Sequence, residues 1–227
     1  MPKYLDVLKR FNIVPNDLDL FKHAFSHPSF VNEAKGKHVD YERTEFIGDG
    51  VLDLIVADLI FKNHPTMDQG LMSKLRSSLV RRESLAKYAR KYGLGDAVLL
   101  GHGEKNNGGN NLDKILEDVF ESFIGAIYLD QGFQVVYQII YDIFIDDVIN
   151  YSLEEITDYK SRLQEYVQAD TRDCVTYRTI KETGNSQDKE FTVEVLWDGN
   201  VWGVGTGQSK KKAEQNAAKD ALSKVAR

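Results

Sequence analysis

The chain has 227 residues, 42% of them hydrophobic and 28% charged, which excludes a disordered chain and leaves room for one large domain or a medium and a small one. One cysteine excludes an internal disulfide, no apolar run nears the roughly 20 residues of a membrane span, and the charge-dotted stretch Met1 to Arg10 is unlike a signal peptide, so a cytoplasmic protein is expected. The net charge of −6 speaks against a nucleic-acid partner on average, but residues 158–227 hold 12 Lys+Arg and 11 Asp+Glu whereas residues 1–157 hold 17 and 24.

A periodicity near 3.6 predicts helices over about 3–11, 17–25, 40–63, 68–80, 82–92, 112–130 and 134–150. Asn63-His64-Pro65 ends the third of these, because proline lacks a donor and biases the residue before it away from helix. The stretch Gly101 to Asn110 reads as a loop; it lacks the Gly-Lys-Ser/Thr ending and the preceding strand of a phosphate-binding loop. After about residue 157 the texture changes. A helix near 158–169 precedes three runs rich in β-branched and aromatic residues, Cys174 to Lys181, Glu190 to Trp197 and Val201 to Thr206. Asp198-Gly199 between the last two signals a tight hairpin, and Ser209 caps a final helix through Ala213, Ala217, Ala218 and Ala221. The expected architecture is therefore two domains. An all-α domain occupies 1–157, with a short linker near 151–157, and a small α+β domain of α-β-β-β-α order occupies 158–227.

Acids in two apolar segments carry the chemistry. At 100° per residue Glu42, Glu45 and Asp49 fall within an arc of about 60°, and Asp53 extends the stripe. Asp118 and Glu121 are i, i+3 neighbours in a helix otherwise built from Ile115, Leu116, Val119, Phe120, Phe123 and Ile124. Two carboxylates 4 Å apart repel by roughly 4 kcal/mol at an effective dielectric near 20, so a cluster of them needs protons or a cation. Ligands that are all oxygen favour hard ions such as Mg²⁺ or Mn²⁺, whose natural reaction in such a site is phosphodiester hydrolysis. Spacing alone leaves a second reading open, in which these acids pair with Arg43, Lys74, Arg76 or Lys114.

The run Glu42-Arg43-Thr44-Glu45-Phe46-Ile47-Gly48-Asp49-Gly50-Val51-Leu52 closely resembles the signature of the ribonuclease III family. Phe25 to Glu33, Gly70 to Arg76 and Asp118 to Asp130 agree with that family in the same order, so the resemblance covers nearly the whole first domain. It implies an endoribonuclease that cleaves double-stranded RNA, with Glu45, Asp49, Asp118 and Glu121 as catalytic acids holding Mg²⁺, for which Mn²⁺ can substitute, and with Glu42 as an accessory acid. It also implies attack on phosphorus by a metal-activated water, 5′-phosphate and 3′-hydroxyl ends, rRNA and mRNA precursors as substrates, no small-molecule cofactor, and a homodimer with the signature helix near its interface. Two departures stand out. Gln69 occupies a position where many members have an acid supporting the site, and Gly50 replaces a more usual alanine.

The tail resembles the double-stranded RNA-binding domain through Asp158 to Glu165 on its first helix and Ser209 to Ala218 at the start of its last. The resemblance implies RNA contacts from Gln164, from Lys210, Lys211 and Lys212, and from Gln187, which stands where the family usually carries histidine. A-form RNA is read by shape through phosphates and 2′-hydroxyls, and lysines at a helix N-terminus suit that task. The competing expectation is a catalytically silent dimeric RNA-binding protein, against which the four intact acids count. His27 is expected to be a structural, hydrogen-bonded residue, Trp197 and Trp202 to be packing residues, and Cys174 to be a packed core thiol.

Overall fold

The computed structural model describes residues 2–34, 38–151, 159–170, 174–184 and 188–225, and the chain forms two compact units, Met1–Ile156 and Thr157–Arg227. The expected linker lies, beyond Tyr151, outside the described residues. Among the described residues no helix is long and apolar enough to cross a membrane.

The first unit is helical: α1 (Tyr4–Arg10), α2 (Leu18–Ala24), α3 (Pro28–Glu33), α4 (Glu42–Asn63), α5 (Gln69–Leu79), α6 (Arg82–Tyr92), α7 (His102–Asn106), α8 (Asp113–Gln131) and α9 (Phe133–Ile149). Local chemistry sets several ends. Asp17 caps α2 by accepting from the backbone N–H groups of Asp19 and Leu20, and Asp68 caps α5 by accepting from Leu71. Gly93 closes α6 in the left-handed region at φ 72°, and α4 stops one residue before His64-Pro65. Two short helices, α3 and α7, lie outside the predicted segments, α7 within the expected loop. Both are anchored by tertiary contacts invisible to periodicity: the Gly101 N–H donates to Ser29 Oγ at 3.0 Å, and Glu33 accepts from the His102 backbone at 2.8 Å.

α4 and α8 form the central pair of this unit. Phe21, Phe25, Phe120, Phe123 and Phe144 are fully buried with Leu52, Ile55 and Leu59, each such side chain worth roughly 1.5–3 kcal/mol of burial. The two helices touch through backbone. A Cβ on Gly48 would lie 1.8 Å from the Glu121 carbonyl oxygen, and one on Gly125 would lie 2.1 Å from that of Thr44. Beside them the Thr44 and Ser122 hydroxyls hydrogen-bond at 2.6 Å in the buried crossing. The periodicity of α4 suggests burial around most of its circumference, but Phe46 (82%), Leu54 (60%) and Phe61 (68%) are exposed. These three fall within an arc of about 80°, forming an apolar stripe opposite the core.

The second unit consists of α10 (Tyr159–Asp170), β1 (Thr176–Thr183), β2 (Glu190–Trp197), β3 (Asn200–Gly207) and α11 (Lys210–Val225), with an antiparallel sheet in the order β1-β2-β3. Asp198 (φ 48°) and Gly199 (φ 74°) make the predicted two-residue hairpin. Leu163, Val195, Ala217, Ala218 and Ala221 form a small core. Its tightest contact uses a feature the strand propensities do not reveal. Phe191, Val193 and Val195 of β2 stand opposite Gly207, Gly205 and Gly203 of β3. A Cβ on Gly205 would meet the Ala217 nitrogen at 2.1 Å, so α11 rests directly on the strand backbone. Cys174 is exposed, correcting the expectation of a core thiol: it precedes β1 and so lies outside the sheet.

Candidate active site and nucleic-acid interface

The glycine-mediated crossing brings the acids of α4 and α8 together. Carboxylate oxygens of Glu45, Asp118 and Glu121 lie within 4.8 Å of one another. They line a cavity of about 570 Å³ with His27, Tyr41, Glu42, Asp49 and Lys114. Asp49 is exposed at the edge of the same cavity and does not enter the three-acid group, although its charge acts on Glu121. Glu42 is likewise exposed on the rim. Gln69 is elsewhere: it begins α5, donates to Ser73 Oγ at 3.3 Å, and lines a separate cavity with Leu54, Phe61, Met72 and Arg76.

Electrostatics show what the cluster lacks. Burial, and then the charge of Asp49, push the Glu121 carboxyl up to about 8. Burial and Asp118 push Glu45 up to about 7, with Lys114 partly offsetting them. Near neutral pH the group therefore retains protons that a divalent cation would replace. The donor set is all oxygen and partly dehydrated, which fits a hard cation such as Mg²⁺ or Mn²⁺.

Two further neighbours touch the cluster: Tyr41, which the sequence did not single out, and Lys114, whose pairing with these acids was one of the readings that spacing left open. The buried Tyr41 hydroxyl donates to Asp118 Oδ2 at 3.1 Å, and Asp118 and Glu45 together raise its own pKa further after burial. Lys114 makes a short ion pair with Asp118 Oδ1 and lies 3.9 Å from Glu45 Oε1. Its i, i+4 spacing to Asp118 was a legible signal; that of Tyr41, 77 positions away, was not. His27 takes its expected structural part, capping α3 with Nδ1, which accepts from the Ser29 N–H at 3.0 Å and from the Ser29 hydroxyl at 2.7 Å. Its pKa is lowered by burial, against the opposing pull of Glu104 and Asp118.

In the second unit Lys210, Lys211 and Lys212 are exposed in the first turn of α11, where backbone N–H groups and the helix dipole also favour an anion. Ser209 Oγ accepts from the Lys212 N–H at 3.2 Å, as a cap should. Gln164 Oε1 accepts from the Val175 N–H at 3.1 Å, tying α10 to the start of the sheet. Lys160 pairs with Glu214 at 2.5 Å and so joins α10 to α11. Gln187 lies outside the described residues. Trp197 and Trp202 meet edge to face at 4.3 Å, in keeping with packing.

Residues 17–148 match the family model described as Ribonuclease-III-like, and residues 159–225 match the double-stranded RNA binding motif. "Ribonuclease 3" of Bacillus cereus strain G9842 is 41% identical over 98% of this chain and 93% of its own length. "Ribonuclease 3" of Lactococcus lactis subsp. cremoris is 42% identical over 98% and 97%. The solved nuclease domain of ribonuclease III from Campylobacter jejuni is 36% identical at a TM-score of 0.59, covering 67% of this chain and 99% of that one. A second structure of that domain, described for structural flexibility in its region involved in dimer formation, is 38% identical at a TM-score of 0.57 and covers 62% and 94%.

Proposed function

The chain belongs to the ribonuclease III family and is an endoribonuclease of that type with a double-stranded RNA-binding domain; from this premise we propose that it cleaves duplex RNA with Mg²⁺ held by Glu45, Asp49, Asp118 and Glu121. The observation that carries this reading is the convergence of Glu45, Asp118 and Glu121 from two helices. When bound, Mg²⁺ supplies a Lewis acid to the phosphodiester and a more acidic water than bulk.

The chain's own residues do the rest. Gly48 and Gly125 let the helices approach until the acids share one space. Tyr41 orients one oxygen of Asp118, and burial keeps the protonation of Glu45 and Glu121 sensitive to pH near neutrality. Asp49, on the cavity rim, would complete the ligand set from the solvent side, with Glu42 as an accessory acid beside it, and the anionic backbone is gripped by the second unit. There Lys210, Lys211 and Lys212 contact phosphates, while Gln164 and Gln187 contact 2′-hydroxyls or base edges in the minor groove. The products carry 5′-phosphate and 3′-hydroxyl ends, and the substrates are rRNA and mRNA precursors in the cytoplasm.

The active form is a homodimer. The stripe of Phe46, Leu54 and Phe61, together with an adjoining apolar cavity of about 380 Å³ lined by Leu54, Ala57, Ile60 and Met72, makes a face that a two-fold partner would cover. Gln69 borders this face, so its accessory role is exercised near the subunit boundary.

The test is cleavage of a long RNA duplex by the full-length chain. Cutting in Mg²⁺ that stops with chelator, and products that accept a 3′-end ligation and carry 5′-phosphate, are expected. Binding without cutting at any Mg²⁺ or Mn²⁺ concentration would sink the metal-dependent reading.

A further inference from the structure

Lys114 sits one helical turn before Asp118 on α8, and its ammonium bridges both helices of the acid cluster, pairing closely with Asp118 Oδ1 and standing 3.9 Å from Glu45 Oε1. Asp118 thus has both oxygens engaged, Oδ2 by the Tyr41 hydroxyl and Oδ1 by Lys114. Nearby cations are committed elsewhere: Arg82 pairs with Glu117 at 2.8 Å, Arg90 with Asp113 at 2.5 Å, and Arg76 with Asp53 at 3.7 Å. Among the described residues Lys114 is the one cation paired with the three converging acids.

We propose that Lys114 is a built-in counter-ion of the cluster that competes with the divalent cation, and so sets the metal concentration at which the site fills. This rests on the metal-site reading above. One positive charge on three acids is a partial substitute for a cation of charge two. It occupies an oxygen of Asp118 that an incoming ion must take or share. Exposure makes the exchange feasible: the Lys114 side chain is 57% exposed against 8% for Asp118, so the ammonium can turn into water while the carboxylate stays. What the metal displaces is a half-exposed ammonium that water takes up as it leaves, while the buried Asp118 carboxylate passes from one cation to another and is never left unpaired. Without any counter-ion the metal-free cluster would rely on protons alone, so the lysine holds the crossing assembled until metal arrives.

The experiment is a calorimetric titration of Mn²⁺ into the full-length chain without RNA, comparing wild type, Lys114→Gln and Lys114→Arg at one pH and ionic strength. Gln keeps length and hydrogen bonding but removes the charge. The expected result is Mn²⁺ binding roughly three- to tenfold tighter in Lys114→Gln, the worth of an exposed pair, with Lys114→Arg near wild type. Metal-free Lys114→Gln should also melt lower and gain more in Tm on Mn²⁺ addition. An Mn²⁺ affinity in Lys114→Gln equal to or weaker than wild type overturns the proposal. No Mn²⁺ binding by wild type would instead overturn the metal-site reading beneath it, a separate outcome.

Discussion

Both units press a helix against backbone through glycine, and they use the closeness differently. In the first, Gly48 and Gly125 let α4 and α8 touch, and the acids on either side of the crossing are forced into mutual repulsion. In the second, Gly203, Gly205 and Gly207 let α11 rest on β3, while Lys210, Lys211 and Lys212 remain in solvent. One packing device therefore serves two electrostatic ends. Where charges are drawn together and dehydrated, raised pKa values and the Lys114 ammonium offset their repulsion; where they stay exposed, they cost the unit's own stability little.

The largest effect should come from breaking the charged side of this comparison. Glu121→Gln removes a proposed ligand, and since loss of a residue merely supporting a ligand costs about 10–100-fold in affinity or activity, cleavage should fall by more than about 100-fold. Duplex binding, measured by mobility shift in Ca²⁺ or chelator, should remain near wild type. A variant that cuts normally would show that the convergence of acids has no catalytic meaning.

The glycines separate the units next. Gly48→Ala should destabilise the first unit by about 1–3 kcal/mol or more, because the new Cβ overlaps the Glu121 carbonyl and the helices must part. Cleavage should then fall even at low salt, where RNA still binds. Gly205→Ala should cost its own unit a similar amount but act through RNA affinity, leaving low-salt cleavage largely intact. Identical salt profiles for the two variants would break the division of labour.

A smaller, graded effect is expected with pH. Glu45 and Glu121 hold protons up to about 7 and about 8 in the folded chain, above the roughly 4.3 of a free glutamate. The folded chain therefore binds more protons than the unfolded one between about pH 4.5 and 8, and the stability of the metal-free protein should fall as pH rises through that window. Mn²⁺ affinity should rise over pH 6 to 8, since bound protons must leave first. Thermal melts in chelator and in Mn²⁺ check both signs, and parallel curves would contradict them.

The smallest change lies two residues from Gly48. A Cβ on Gly50 meets nothing within 4 Å, so Gly50→Ala should raise the stability slightly, by up to about the 1 kcal/mol that alanine gains over glycine in a helix. Urea denaturation of the two neighbouring variants would then give opposite signs; a loss in both would mean that Gly50 is also occupied, as by a second subunit.

Much of this was legible along the chain. The helices of the first unit followed from a periodicity of 3.6, the strands from their β-branched and aromatic enrichment, the hairpin from Asp198-Gly199, and the end of α4 from Pro65. Short helices such as α7, held by Ser29 and Glu33 from a distant segment, were not, because their stabilising partners are not sequence neighbours. The acids themselves were legible because carboxylates rarely interrupt apolar helices without cause.

By itself the sequence determined which residue types were available for chemistry and which elements carry them, since propensity, capping and turn formation depend on near neighbours. Only the tertiary structure decided that Glu45, Asp118 and Glu121 meet while Asp49 stays at the rim and Gln69 lies by another cavity, and that Tyr41 and Lys114 divide the oxygens of Asp118. The physical reason is the helix crossing at Gly48 and Gly125, which sets distances between residues more than seventy positions apart by how closely two backbones can approach.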